Sequence, residues 1–190
     1  MKYGLYTRVL HWLLAAAISL QMLLSLVMRP PHPGRVHTAF ENLTYDAHRY
    51  VGVAVLAIVV LHWLLFISGN AHKGWGHFFP WFSRARRTAV FDDIKGLLRL
   101  RIENPEQQDS LAGGIQGLGL LVGTLLAASG LVLFLGMAAD GAMGATVHAI
   151  AEFHSFWGPV MWGYLGLHVG AVMIHLLAGH RSVLNIFRAS

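Results

Sequence analysis

Four stretches of the chain, 9–28, 51–69, 111–139 and 156–179, contain no Asp, Glu, Lys or Arg. Each reaches the ~20 apolar residues that a helix needs to cross the hydrocarbon core of a bilayer. The pattern predicts an all-α membrane protein. It is a bundle of four transmembrane helices over about 6–28, 48–69, 111–138 and 153–179, forming one domain over 1–190. The first apolar run is too long for a signal-peptide core and no A-x-A site follows it, so a retained first helix is expected. The connection 70–110 is long for a loop without structure. Within it Val90, Ile94, Leu97 and Leu98 recur at helical spacing, with Asp92, Asp93, Lys95 and Arg99 elsewhere on the wheel. This predicts an amphipathic helix lying on the membrane, with Arg84, Arg86 and Arg87 against anionic headgroups. Residues 78–82, Phe-Phe-Pro-Trp-Phe, read as an interfacial aromatic anchor.

Composition agrees with the pattern. Hydrophobic residues make up 55% of the chain and charged residues only 12%, against about 25% charged in soluble domains. There is no cysteine, which excludes disulfides, cysteine-ligated iron–sulfur clusters and haem attached through C-x-x-C-H. Of the 14 Lys and Arg, eleven fall at the termini or in 70–110: Lys2, Arg8, Lys73, Arg84, Arg86, Arg87, Lys95, Arg99, Arg101, Arg181 and Arg188. Arg29, Arg35 and Arg49 make up the other three. The asymmetry predicts that both termini and the long loop face the cytoplasm of a bacterial inner membrane. It also accounts for the net charge of +5 without a nucleic-acid partner.

The candidate chemistry lies in the histidines. His48 and His62 are separated by the same interval as His154 and His168, since 62 − 48 = 168 − 154 = 14. Fourteen residues of helix rise roughly 21 Å and return to nearly the same face. Each pair thus puts one imidazole toward each side of a bilayer, and ionisable residues there are costly and usually functional. Stacked metal centres are the expected chemistry, with haem iron taking one histidine from each of two helices. By depth, His48 and His154 form a periplasmic pair. His11, His62 and His168 form a cytoplasmic trio, one member of which is surplus.

Glycine and arginine extend this reading. His48–Gly52 and His154–Gly158 share an H-x-x-x-G pattern, and a glycine one turn from a ligand leaves room for a flat porphyrin. Gly119-x-x-x-Gly123 fits either haem lining or plain helix packing. Arg8, three residues before His11, and Arg49, next to His48, are positioned to hold haem propionates by charge-assisted hydrogen bonds. A topology-setting arginine at the interface is the alternative for both.

These motifs resemble one family. Thr7-Arg8-Val9-Leu10-His11-Trp12 is similar to the R-x-x-H-W opening of the prokaryotic cytochrome b561 family, which includes the cytochrome b subunits of nickel–iron hydrogenases. Glu152-Phe153-His154 followed by Gly166-Leu167-His168 resembles the family's last helix, and His48 with Gly52 its helix 2 ligand. The resemblance spans essentially the whole chain. It implies two non-covalent b-type haems, one ligated by His11 and His168 and one by His48 and His154. One departure concerns His62, which stands where the family often has arginine. The hexapeptide Val-Leu-His-Trp-Leu-Leu around His11 recurs around His62, so His62 in place of His11 would give a two-helix scaffold. Otherwise His62 meets a propionate, a quinone or a polar partner in the core.

The expected function is a dihaem cytochrome moving electrons between a periplasmic partner, such as a c-type cytochrome, and a quinone. Two histidines on each iron leave no open position for oxygen. His62 and His175 are the candidate cytoplasmic quinone contacts, because imidazole both donates hydrogen bonds and carries protons. A second reading, implied by one branch of the resembling family, is superoxide:quinone oxidoreductase. That chemistry calls for a positive periplasmic funnel, yet Arg29, Arg35 and Arg49 against Glu41, Asp46, Asp140 and Glu152 sum to −1. A haem-binding anchor for a respiratory complex is a third reading. A metal-ion transporter ranks last, because the four spans carry no carboxylate. Lipid and quinone are the implied partners, and a homodimer is compatible with the sequence.

Overall fold

The structure is a computed structural model and describes residues 4–69, 74–99, 101–102 and 110–187. The topology-setting Lys2, Lys73 and Arg188, and His72, lie outside the described residues. The described chain is helical, without strands. The long helices are α1 (Leu5–Val27), α2 (Ala39–Ile67), α5 (Ser110–Gly136) and α6 (Ala145–Leu177). Between α2 and α5 lie a single turn, α3 (Trp75–Phe78), a 3-10 turn (Pro80–Phe82) and α4 (Arg84–Leu98), and a second 3-10 turn (Arg181–Ile186) follows α6. All four long helices are long and apolar enough to cross a membrane. Their large apolar side chains point outward to an unusual degree: Leu20, Leu23, Leu26, Leu64, Leu135, Leu167 and Leu177 are all exposed. In water such a surface would aggregate; in lipid it is the expected exterior.

Two of the four helices begin several turns before their apolar runs. α2 starts at Ala39 and α6 at Ala145, so His48 and His154 lie more than two turns inside their helices. At α2 the cause is a capping box. The Thr38 backbone N–H donates to Glu41 Oε2 at 3.0 Å, and the Glu41 N–H donates to Thr38 Oγ1 at 3.2 Å. Two otherwise unpaired donors of the first turn are thereby satisfied. Arg35 Nη2 donates to the same carboxylate at 2.9 Å. At their far ends α2 and α6 stop at Gly69 (φ +73°) and Gly179 (φ +85°), the left-handed conformation that closes a helix at low steric cost.

The described chain divides into two compact units. One comprises Trp12–Leu61 and Val122–Trp162. In it Gln21 of α1 donates from Nε2 to the His48 carbonyl of α2 at 2.9 Å. Tyr50 of α2 meets Phe134 of α5 edge-on at 5.9 Å, and Gly136 of α5 packs against Val147 of α6. Met161 and Val59 are its most deeply buried side chains.

The other unit comprises Met1–His11, His62–Leu121 and Gly163–Ser190. Its centre is aromatic. Phe79 lies parallel to Trp63 at 6.1 Å, and Phe66 meets Phe78 edge-on at 4.7 Å and Trp75 at 5.0 Å. Residues 78–82 therefore divide: Phe79 is buried against the end of α2, whereas Phe82 is 87% exposed. The α3 turn lies directly on α5. A Cβ at Gly113 would collide with the His77 carbonyl oxygen, and one at Gly117 with the Phe78 carbonyl oxygen. The small-xxx-small step of α5 thus receives a loop backbone instead of a second helix. Helix α4 is tied to the start of α5 where Asp93 Oδ2 accepts from the Leu111 N–H at 2.9 Å. Phe91, Ile94, Leu97 and Leu98 of α4 are exposed.

Gly117→Ala improves helix propensity but drives a methyl group into backbone that cannot yield. A net loss of about 1–3 kcal/mol is expected, read as an earlier thermal unfolding midpoint in detergent. Leu118→Ala, on the exposed side of the same turn, should leave the midpoint nearly unchanged. Equal midpoints for Gly117→Ala and wild type would contradict the close approach.

Candidate functional site

Each unit holds one histidine pair. In the unit of Met1–His11, His11 of α1 faces His168 of α6 with ring centres 6.5 Å apart. In the other, His48 of α2 faces His154 of α6 at 6.4 Å. Helix periodicity supplies α6 with one member of each pair, because fourteen residues return to almost the same face. At these distances the two imidazoles of a pair are too far apart to hydrogen-bond to each other, and the spacing matches a shared metal. Two imidazoles holding one metal between them, each with a metal–nitrogen bond of about 2 Å and a ring centre about 1.1 Å behind its nitrogen, would have ring centres about 6.2 Å apart. Nδ1 of His11 and Nδ1 of His48 are buried without a hydrogen-bond partner. An unsatisfied buried polar atom costs about 1–3 kcal/mol, so each pair carries a nitrogen that the polypeptide alone leaves unsatisfied. The donor set is imidazole throughout. Among the described residues no group of three or more His, Cys, Asp or Glu forms a metal-ion cluster. The residues present fit two separate metals with two axial histidines each, as haem iron provides.

The neighbours of the rings differ between the pairs. Tyr164, one turn before His168 on α6, stacks on the His168 ring at 5.6 Å and 17°. A Cβ at Gly119 would run into that tyrosine ring, so Gly119 gives Tyr164 its seat. Phe187 meets His11 edge-on at 5.7 Å. His62 is half-buried on α2. Arg8 is half-buried one turn before His11. His175 Nδ1 lies 3.2 Å from His180 Nδ1, so these two imidazoles form a hydrogen-bonded pair at the end of α6.

At the other pair, Ser129 Oγ of α5 lies 2.8 Å from His154 Nδ1, and Gly130 leaves the His154 ring room, since a Cβ there would come within 3.3 Å of Cε1. Gly52 faces Gln21, whose Nε2 a Cβ would approach to 3.1 Å; at Gly158 nothing lies within 4 Å. Arg49 stacks over Phe134 at 4.6 Å and approaches Asp46 at 3.5 Å. Beside it opens a cavity of about 560 Å³ whose lining includes Arg35, Arg49, Asp46 and Asp140. Two arginines against two aspartates give it no net formal charge.

The pairing of His11 with His168 and of His48 with His154 is thus present in the structure. Ser129, Gln21, Tyr164 and Phe187 were not singled out from the sequence. The Tyr164–His168 contact was available there, because four residues apart on a helix means one face. The other three depend on distant segments meeting.

Fold and site together define a multi-pass, all-helical membrane protein with paired imidazoles on its helices. The model of the family described as prokaryotic cytochrome b561 matches residues 2–188. The chain belongs to that family, which makes it a b-type cytochrome with a role in electron transfer. No curated protein and no solved structure matches it significantly.

His11→Ala is expected to remove one low-spin haem signal and about half of the haem absorbance, leaving the other signal intact. His62→Ala is expected to keep both. Optical and EPR spectra of the purified variants check this. Loss of a haem in His62→Ala, with both retained in His11→Ala, would reassign the ligand to His62.

Proposed function

We propose that the protein is a dihaem cytochrome b that carries electrons across the bacterial inner membrane between a periplasmic redox partner and quinone. The observation that carries this reading is the near-identical spacing of two histidine pairs, 6.5 Å and 6.4 Å between ring centres. Haem iron, when bound, alternates between ferric and ferrous and so passes one electron at a time. The polypeptide does the rest. His11 with His168, and His48 with His154, would each hold one haem iron through two imidazoles, which would leave small molecules no coordination site. The apolar helices keep water away, which influences the potential of each site. Arg8 and Arg49 supply guanidinium groups beside His11 and His48 for propionate carboxylates. Gly158, with open space at its Cα, leaves room for a flat macrocycle one turn from His154.

At the end holding His11, which the basic residues assign to the cytoplasm, His62, His175 and His180 are the groups able to donate hydrogen bonds to a quinone carbonyl and to move its protons. Facing the periplasm, the cavity beside Arg49 offers a neutral, mixed-charge surface. That surface suits docking of a redox protein better than capture of a small anion, so superoxide oxidation is not favoured.

Vesicles with ferricyanide trapped inside and the protein in the membrane test the reading directly. A reduced quinone analogue added outside should reduce the trapped oxidant. His48→Ala and His168→Ala, each breaking one pair, should slow this at least roughly tenfold, in line with losses seen when metal-site groups are removed. Undiminished rates in both variants would exclude a route through the two pairs.

A further inference from the structure

The two rings of the His48–His154 pair are not held alike. Nδ1 of His48 is buried without a partner, whereas Nδ1 of His154 lies 2.8 Å from Ser129 Oγ. Ser129 is itself buried. Its Oγ lies 2.7 Å from the Leu125 carbonyl oxygen, one helical turn back, and 3.1 Å from that of Leu126.

A serine hydroxyl has one proton and two lone pairs. A carbonyl oxygen cannot donate, and two oxygens at 2.7 Å with no proton between them would repel. The hydroxyl proton of Ser129 is therefore committed to α5's own backbone. Toward His154 the oxygen can only accept, so the proton of that hydrogen bond belongs to Nδ1. A neutral imidazole carries one ring proton, and with Nδ1–H fixed, Nε2 holds the free lone pair. Gly130, the next residue on α5, leaves space for Cε1. Ser129 and Gly130 together seat the ring.

The geometry assigns Ser129 as a positioning residue of His154: together with the Leu126 carbonyl, which also hydrogen-bonds the ring, it holds the Nε2-ligating tautomer, and its own bond lowers the reduction potential of a metal held there. The inference rests on the dihaem reading for its redox part, but the tautomer stands on the polypeptide alone. An Nδ1–H that donates to a hydroxyl oxygen makes its ring a more basic ligand, and a more basic ligand favours the higher oxidation state. No such acceptor reaches Nδ1 of His11 or of His48. The Ser129 bond therefore distinguishes the His48–His154 site from the other one.

Redox titration of the purified holoprotein tests the potential. Ser129→Ala should raise the midpoint of one haem step and leave the other in place. A roughly tenfold change in the ferrous-to-ferric ratio at fixed potential corresponds to about 59 mV for a one-electron couple. Ser129→Thr, which keeps the hydroxyl and the same backbone bond, should restore the wild-type midpoint. Should Ser129→Ala not retain two haems, Ser129→Cys offers a similar volume with a weak acceptor, and a smaller upward shift is expected. Two unmoved steps in a variant that retains two haems would overturn the assignment. Histidine 15N NMR of haem-free protein reads the same bond independently. The signal lost in His154→Gln should report a protonated Nδ1 in the wild type, and a protonated Nε2 there would overturn the assignment. A wild type that binds fewer than two haems would defeat the dihaem reading, while the NMR result would still decide the role of Ser129.

Discussion

The interaction on which the rest depends is one imidazole facing another across a gap that neither can close. A buried ring nitrogen must be satisfied, and among helices whose exposed side chains are largely apolar there is little to satisfy it with. The polypeptide brings His11 to His168 and His48 to His154 and stops about one metal and two bonds short of contact. Much of the local architecture serves to hold those gaps. Tyr164 stacks on one ring and needs Gly119 to fit. Ser129 and Gly130 seat another. Gln21 fastens α1 to the backbone of His48.

Helix α5 has a distinct part in this. It contributes no histidine to either pair, yet Leu120, Val122, Ala127 and Ser129 on it are all buried. Its glycines are surfaces for other groups: the backbone of residues 77 and 78 at one end, the Tyr164 ring in the middle and the His154 ring further on. A helix that carries none of the paired histidines can thus govern how their rings are seated through where it lacks side chains. This is also why the glycine-rich stretch reads ambiguously in one dimension. Helix packing and cofactor lining call for the same residue, and only the neighbour tells them apart.

The spans themselves were legible because charge is so costly in lipid that its absence marks them. That α6 carries one histidine toward each end was legible, because α-helical periodicity makes a fourteen-residue interval a statement about one face, whereas the choice of His11 over His62 came from the family resemblance. Helix starts were less legible. α2 and α6 carry polar first turns that hydropathy assigns to loops, although Thr38-x-x-Glu41 is a capping box written in the sequence. The aromatic run 78–82 reads as a membrane anchor, but its Phe78 and Phe79 pack against Trp63 and Phe66 on α2. Nothing local reveals such a long-range choice. Ser129 is the clearest case of a hidden residue. A serine bonding back to its own helix is ordinary in a membrane span, and its spare lone pair acquires meaning only when His154 arrives beside it.

The central claim is that two histidine pairs hold two metals of the same kind. A pyridine haemochrome assay on purified protein, normalised to chain concentration, tests it most directly. The account predicts two b-type haems per chain, both removed by acidified organic solvent because no cysteine is present to retain them. Saturation at one haem per chain, or none, would contradict it.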